Sequence, residues 1–175
     1  MPYIIQEGSS LAVGDTGPDN IKYANLDSAQ LPDLEEMNEA HQGGGSIGEV
    51  EWGNLGVKAL TPSFKLKGWD PQVMSKFGQR VRIPWTFRGI LRNKQTQQAL
   101  GLRAIFHARL GKMSPEAHER GKLMGHDHSL HEVVHYELYI DEKEKYYWDF
   151  FEPAFRIDGI NMLADEMRLL ALPGS

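Results

Sequence analysis

The chain has 175 residues, of which 41% are hydrophobic and 25% charged, and it contains no cysteine. That length suits one domain with a sizeable core, and the missing cysteine excludes a disulfide scaffold, thiolate metal sites and a cysteine nucleophile. No apolar run approaches the roughly 20 residues that span a bilayer, and we expect no signal peptide, because a basic and then apolar start is missing.

The net charge of −5 conceals a strong segregation along the chain. Residues 1–56 hold ten acids and one base, residues 57–112 hold twelve bases and one acid, and residues 113–175 hold thirteen acids and six bases. Folding could scatter these charges evenly over one surface. The alternative is a self-complementary surface, acidic on one side and basic on another, which attracts copies of the same chain head to tail.

Residues 1–56 contain so many glycines and prolines that we predict only short strands there. The run Gly43-Gly44-Gly45 is not a phosphate-binding loop, because no Gly-Lys-Ser or Gly-Lys-Thr follows it. We interpret this run as a flexible or tightly bent connection, which can become ordered when a neighbour covers it.

A clear alternation of apolar and polar residues begins near residue 57. Residues 60–67 alternate with a period of two, which predicts a strand with one buried and one solvated face. Asp70-Pro71 then predicts the N-cap and the first position of a short helix. We expect that helix to run to Phe77, with Gly78 as its terminator.

Two longer alternating stretches, residues 81–92 and 100–109, flank a polar turn at 93–97 and predict a long antiparallel hairpin. The predicted apolar face of this hairpin comprises Val81, Ile83, Trp85, Phe87, Leu91, Leu100, Leu102, Ala104, Phe106 and Ala108. The predicted solvated face is rich in arginine. Together with Arg80, which immediately precedes the first stretch, it contains Arg82, Arg88, Arg92, Arg103 and Arg109, and we call these six residues the basic face.

The last third of the chain begins with residues 111–129, which predict a polar connection. Strands are predicted at 133–140 and, after a turn at 141–145, in the aromatic segment 146–151. Helical spacing predicts a final helix over 160–172. Its inward residues are expected to be Met162, Leu163, Met167 and Leu170. About six strands and two helices indicate a mainly β sandwich or barrel.

The only metal-like signal is a group of histidines: His126, His128, His131 and His135. His131 and His135 are four apart and share a strand face, and a three-histidine zinc site could be built from such residues. No acid lies at a recognisable ligand spacing, so solvated or interface histidines are the default and a histidine-metal enzyme is an alternative. Without a Gly-x-Ser-x-Gly elbow or a dinucleotide fingerprint, we predict no catalytic residue, metal or cofactor.

The arginine-rich hairpin also raises the alternative of a soluble nucleic-acid-binding β module. Such a platform needs aromatic and basic side chains on the same face, so that bases stack while phosphates are bound. Here Trp85, Phe87 and Phe106 alternate with the arginines and fall on the opposite face. The pattern therefore favours buried aromatics beneath a basic exterior.

Several short landmarks follow one another along the chain. They are Leu31-Pro32-Asp33-Leu34 before a glycine-rich loop, Gly56-Val57-Lys58-Ala59-Leu60, Phe77-Gly78, Phe87-Arg88-Gly89, Tyr136–Asp141 and Ile157–Asn161. Their order resembles that of the major tail tube protein of contractile-tailed bacteriophages, a family that also forms the inner tube of R-type pyocins. The resemblance covers about residues 31–172. The chain departs from the family pattern in its first 30 residues and in a longer aromatic segment between 141 and 157.

The resemblance implies a tail-tube β-sandwich or barrel with a flanking short helix and a C-terminal helix. Six copies would form a ring whose hairpins merge into one continuous inner β-barrel, and closure would remove the exposed strand edges. The whole chain would form one tail tube domain. Its expected parts are an N-terminal segment 1–30, an acidic glycine-bearing loop region 31–56, a β core 57–158 and a C-terminal helix and tail 159–175.

The function implied by the resemblance is structural and involves no enzymatic step. Stacked hexameric rings would form the inner tail tube, the conduit for DNA ejection inside a contractile sheath. Expected partners are further copies of the chain, the tail sheath protein, the baseplate and tail terminator proteins and, transiently in the lumen, the tape measure protein and DNA. We expect no membrane partner, and a virion tail assembled in the host cytoplasm. The alternative is the inner tube of a phage-derived injector, of the pyocin or secretion type.

Two contact surfaces are predicted for such a tube. The loop 33–53 is acidic and too polar for a core, so we assign ring stacking to Asp33, Glu35, Glu36, Gly43, Gly44, Gly45, Glu49 and Glu51. An acidic lumen would repel DNA phosphate. The basic face is therefore expected to point away from the lumen, toward neighbouring subunits or rings.

Overall fold

The computed structural model describes residues 3–54 and 56–172. The predicted segments 1–30, 31–56 and 159–175 also include residues 1–2, 55 and 173–175, which lie outside the described residues. Its strands are β1 Ile4–Val13, β2 Ile21–Lys22, β3 Leu26–Gln30, β4 Glu39–His41, β5 Val50–Trp52, β6 Ser63–Lys67, β7 Ile83–Asn93, β8 Ala99–Pro115, β9 Gly125–Ile140, β10 Lys143–Asp149, β11 Ala154–Ile157 and β12 Ile160–Asn161. Its α-helices are α1 Pro71–Met74 and α2 Ala164–Leu169. The predicted mainly β class is confirmed, with more strands than expected.

Ten of these strands form one antiparallel sheet, in which β12-β11-β10-β9-β8-β7-β1-β2 follow one another and β6 and β3 branch from β9. Strand β9 pairs with β8 along one edge. Along its other edge it pairs first with β6 and then with β10. β6 and β10 thus pair with different parts of the same edge of β9. From this edge β6, with β3, covers one face of the sheet, where Phe64 of β6 meets Trp85 of β7. Strands β4 and β5 form a separate two-stranded sheet.

The core lies where β6 covers the apolar face of the β7–β8 hairpin. The ring of Phe64 lies 5.6 Å from that of Trp85 and 6.3 Å from that of Phe87. Phe106 stacks on Tyr136 with ring centroids 4.9 Å apart. Such pairs each add about 0.5–1.5 kcal/mol beyond the burial of apolar area. The predicted hairpin and its buried aromatic face are thus confirmed.

Helix α1 begins as predicted, because a carboxylate oxygen of Asp70 accepts a hydrogen bond from the amide of Val73 at 3.1 Å. The helix ends at Met74, earlier than expected. Beyond it the turn tightens, and the amide of Phe77 donates to the Met74 carbonyl, three residues back, at 3.1 Å. Gly78 then adopts a φ of 76°, which only glycine reaches without strain, and reverses the chain.

The expectation of only short strands in residues 1–56 is wrong. Strand β1 has ten residues and pairs along nearly its whole length with β7. The pairing register shifts between Gln6 and Gly8, so one extra residue of β1 is accommodated there without ending the strand. Its last three residues, Leu11 to Val13, are buried in the core. The strand therefore gains its stability from a partner about 80 positions later in the chain.

The polar connection predicted over 111–129 is also wrong in its extent. Strand β8 continues to Pro115 and β9 already begins at Gly125, so the connection contains only residues 116–124. At the other end of the hairpin, Val81 does not join the apolar face. It precedes β7 and is 70% exposed.

The C-terminal helix is shorter than the predicted 160–172. Ile160–Asn161 pairs with β11 as a strand, so α2 starts only at Ala164. Met167 is buried and Leu163 half-buried, as predicted, whereas Met162 and Leu170 are exposed. Both helices within residues 3–54 and 56–172 are too short to cross a bilayer.

Candidate assembly surfaces

Residues 39–52 form a protruding hairpin, made of β4 and β5, which we call the acidic hairpin. Both strands are exposed throughout. Ile47 near its tip is fully exposed, and Trp52 at its base is 59% exposed. The glycine run makes the tight bend, where the Ser46 amide donates to the Gly43 carbonyl at 2.9 Å. Large apolar side chains on a protruding element are typical of a contact surface.

The predicted stacking residues lie together on and beside the acidic hairpin. Apart from half-buried Gly43, all of them are exposed: Asp33, Glu35, Glu36, Gly44, Gly45, Glu49 and Glu51. Glu35 forms an ion pair with Lys58 at 2.5 Å. Within the described residues, Glu49 and Glu51 form no ion pair, and Glu51 accepts only from the Asn38 amide at 3.1 Å. The hairpin therefore presents uncompensated negative charge.

An apolar groove of about 440 Å³ lies at the base of the acidic hairpin, and we call it the root groove. Its walls come from the ends of loop 33–57, from β10 and β11 and from the segment leading into α2. The apolar lining includes Tyr146, Trp148, Phe155 and Met162. Three carboxylates also line it, those of Glu35, Glu36 and Glu166. Sequence reasoning missed this groove, although the extended aromatic segment 141–157 supplies its three aromatic residues, Tyr146, Trp148 and Phe155.

Four of the six arginines predicted to form a basic face lie together in pairs, and acids are mixed among the six. Arg88 and Arg103 are direct cross-strand partners on β7 and β8. Arg82 and Arg109 share the carboxylate of Glu132, at 3.5 and 2.6 Å.

Arg92 and Arg103 form ion pairs with acids from other elements, whereas Arg80 forms none within the described residues. Arg92 lies 2.7 Å from Glu7, and hydrogen bonds from Lys94 and Arg92 lower the pKa of that carboxyl. Arg103 lies 3.5 Å from Glu142 and stacks over the ring of Tyr139 at 4.7 Å. Arg80 precedes β7 and is exposed. Acids from β1, β9 and the following turn thus neutralise much of the arginine-rich hairpin.

The charge segregation along the chain is largely cancelled inside the subunit. Lys22 and Asp70, the only base of residues 1–56 and the only acid of residues 57–112, pair at 3.1 Å. Eight of the twelve bases of residues 57–112 have an acidic partner from another segment: Lys58, Lys65, Lys67, Arg82, Arg92, Lys94, Arg103 and Arg109. Each partly exposed pair contributes only about 0–1 kcal/mol.

Residues 76–82, between α1 and β7, form a second exposed surface, which we call the basic loop. Lys76 and Arg80 have no ion-pair partner in the part of the chain that the structure describes. Phe77 is 54% exposed and Val81 70% exposed, so apolar and positive groups alternate along the loop. At the end of the loop, the guanidinium of Arg82 lies 5.8 Å from the ring of Phe151, and Phe151 is also exposed.

The four histidines divide between the two faces of β9. His126 and His128 point into the subunit and are each only 2% exposed, so the expectation of solvated or interface histidines is wrong for them. His128 stacks on Phe64 at 4.7 Å, and His126 lies 4.2 Å from the ring of Trp69. Both belong to residues 111–129, for which the sequence predicts a polar connection, and histidine is seldom as fully buried as it is at these positions.

The other two histidines lie on the solvated face, where His131 pairs across from Arg109 and His135 from His107. Both ring nitrogens of His135 contact carboxylates, Asp149 at 2.8 Å and Glu137 at 2.8 Å. Among residues 3–54 and 56–172, no three histidines or carboxylates are arranged to hold a metal ion.

We expect His128→Phe to reduce the acid sensitivity of folding. Burial lowers the pKa of His128 below its ordinary 6.5. The unfolded chain therefore takes up a proton that the folded chain resists, and stability falls as the pH drops from about 6.5 toward the lowered value. Phenylalanine keeps the stacking on Phe64 without this proton.

Urea midpoints at pH about 7.5 and about 5.5 measure this difference. The stability of His128→Phe relative to the parent should rise at the lower pH, and a constant difference would contradict the prediction. His131→Phe, on the exposed side of the same strand, controls for the exchange itself.

Exposed apolar and charged groups on the loops of this antiparallel β subunit are typical of a protein that contacts other molecules through these loops. A family model described as phage tail tube protein FII matches residues 19–170. The match covers most of the chain, and the chain belongs to this family of phage tail tube proteins. A search of curated proteins gave no match.

Membership of this family defines the role in coarse terms. The protein is a structural component of the phage tail that self-assembles and contacts other tail components. The family is structural in character.

Proposed function

We propose that the protein polymerises as stacked hexameric rings into the inner tail tube, the conduit for DNA ejection inside a contractile sheath. The observation that supports this most directly is the acidic hairpin, whose exposed Ile47 and Trp52 need a covering surface from another molecule. The sheet also ends in short edge strands, β2 and β12. Closing such sheets into one ring-shaped barrel would remove open edges that otherwise favour aggregation.

Ring stacking in this proposal uses the exposed acids and glycines of loop 33–53. The same surface cannot contact itself across stacked rings, so each ring must present a different surface to the next. Contacts of this heterologous kind do not close and therefore build filaments. Repetition around each ring compensates for the small contribution of any single exposed ion pair.

The basic face would lie toward neighbouring subunits or rings rather than toward the lumen. Its arginines already share carboxylates such as Glu7 and Glu132, which weakens attraction to phosphate. The chain would work as a single tail tube domain. Sheath, baseplate, terminator and tape measure proteins would be its partners, with DNA passing through transiently.

Electron microscopy of the concentrated pure protein tests this proposal. We expect rings about one subunit thick and tubes of stacked rings, with negligible DNA affinity at moderate salt. A strictly monomeric protein with salt-dependent DNA binding would instead support the nucleic-acid-binding module. Stoichiometric metal in protein purified without an affinity tag would support the histidine-metal enzyme. Immunogold labelling of particles from the source separates a phage tail from a phage-derived injector.

A further inference from the structure

We propose that the root groove receives the basic loop, residues 76–82, of a second copy of the chain. The inference rests on the proposed function, because it names the part of one copy that contacts the base of the acidic hairpin of the next. Apolar and charged features of both surfaces support it.

The root groove selects for an apolar ligand with positive charge. Trp148 and Phe155 contribute aromatic walls, and both are only partly buried in the subunit. The carboxylates of Glu36 and Glu166 stand at the same groove. Neither of these two acids has an ion-pair partner within the described residues, and Glu36 accepts only from the Asn54 amide at 3.2 Å. A ligand that covered the aromatics without a positive charge would leave these carboxylates uncompensated.

The basic loop has the matching composition. Phe77 and Val81 offer apolar side chains that are more than half exposed in the subunit. Arg80 lies between them and is exposed. The left-handed Gly78 turns the chain sharply between Phe77 and Arg80, so the loop presents these exposed side chains at a bend.

The basic loop does not occupy the groove of its own chain. No residue of the loop lines the groove among the described residues. The loop is instead tied to β8, where the Arg109 side chain donates to the Gln79 carbonyl at 2.7 Å and Phe77 forms a backbone bridge with Leu110. The root groove lies on β10 and β11, which are separated from β8 by β9. A second copy must therefore supply the loop.

The absence of cysteine allows this contact to be tested by cross-linking. The double variant Val81→Cys with Glu166→Cys places one thiol on the loop and one at the groove, both at exposed positions. A short bismaleimide should convert assembled protein into a ladder of covalent multimers. The same sample, diluted until it is monomeric, should give no ladder.

Leu123→Cys with Glu166→Cys is the matched control, because Leu123 is equally apolar and 79% exposed but lies in the separate 116–124 connection. Tubes that form normally, yet show no more cross-linking in the Val81 pair than in this control, would overturn the inference and leave the proposed function intact. Failure of the parent protein to form rings or tubes would refute both.

A charge exchange provides a second readout that needs no cross-linker. Arg80→Glu and Glu166→Lys should each raise, several-fold, the protein concentration needed for tube formation. The combined variant should recover much of the loss, because opposite charges again face each other. Full additivity of the two losses would count against the contact.

Discussion

Deleting Gly43–Gly45 is expected to impair tube formation and to leave a folded subunit. The three residues make the bend between β4 and β5, which pair only with each other. Without them, five residues instead of eight connect His41 to Val50, so the tip of the hairpin must be rebuilt and Ile47 is displaced. Ile47 and Trp52 would then no longer be presented together. The core contains no residue of the acidic hairpin, so folding should be unaffected.

Sedimentation velocity and electron microscopy report on assembly in this experiment, and the urea midpoint reports on folding. A matched control deletes Glu119-Arg120-Gly121, three exposed residues of the 116–124 connection. That variant should still form tubes. Normal tubes from the Gly43–Gly45 deletion would remove the acidic hairpin from the stacking interface.

Phe106→Ala should cost the subunit about 3–5 kcal/mol of unfolding free energy. Phe106 is fully buried on β8, stacked on Tyr136 at 4.9 Å and edge-on to Phe87 at 5.3 Å. Its removal leaves a cavity between two strands of one sheet and the layer that covers them. Domains of this size are stable by about 5–15 kcal/mol, so the loss is a large fraction of the total.

Urea denaturation of dilute, disassembled protein measures this loss without a contribution from tube contacts. Phe150→Ala is the matched control, since Phe150 is 65% exposed and its truncation should change stability by less than about 0.5 kcal/mol. Equal effects of the two substitutions would contradict the assignment of the core.

Sequence patterns predicted those elements that are stabilised by residues close to them in the chain. The β7–β8 hairpin follows from its alternation and its polar turn, because both strands lie within about 30 residues of each other. The start of α1 follows from Asp70-Pro71, where a cap and a fixed φ act on neighbouring residues. The tail-tube family also followed from the order of short landmarks, and the match over residues 19–170 confirms it.

Elements that depend on distant partners were not predicted. Strand β1 begins with an irregular stretch around Gly8, and its pairing with β7 cannot be inferred from either segment alone. His126 and His128 alternate with polar neighbours as strand residues do, but their burial depends on Phe64 and Trp69, which β6 and the segment after it place there. Tertiary packing overrides the usual exposure of histidine at these two positions.

Some features of the assembly surfaces could likewise be predicted from the sequence, whereas others depend on residues far apart in the chain. The exposed acids of loop 33–53 could be predicted, because no apolar periodicity there offers a core face. The neutralisation of the arginines could not, since Glu7 and Glu132 reach them only through the register of β1 and β9. The root groove unites residues more than 100 positions apart, such as Glu36 and Glu166, and only the folded chain brings them together.

Because the basic loop and the root groove lie on different parts of the subunit, the proposed polymer would be polar. A filament joined by two unlike surfaces has two chemically distinct ends, one with vacant grooves and the other with vacant loops. In a tube built by the proposed contact, subunits added at the two ends would meet different partner surfaces, so elongation would be directional and the two ends would grow at unequal rates. Proteins that start or stop growth would then have to mimic opposite halves of the contact, one acidic and aromatic, the other basic.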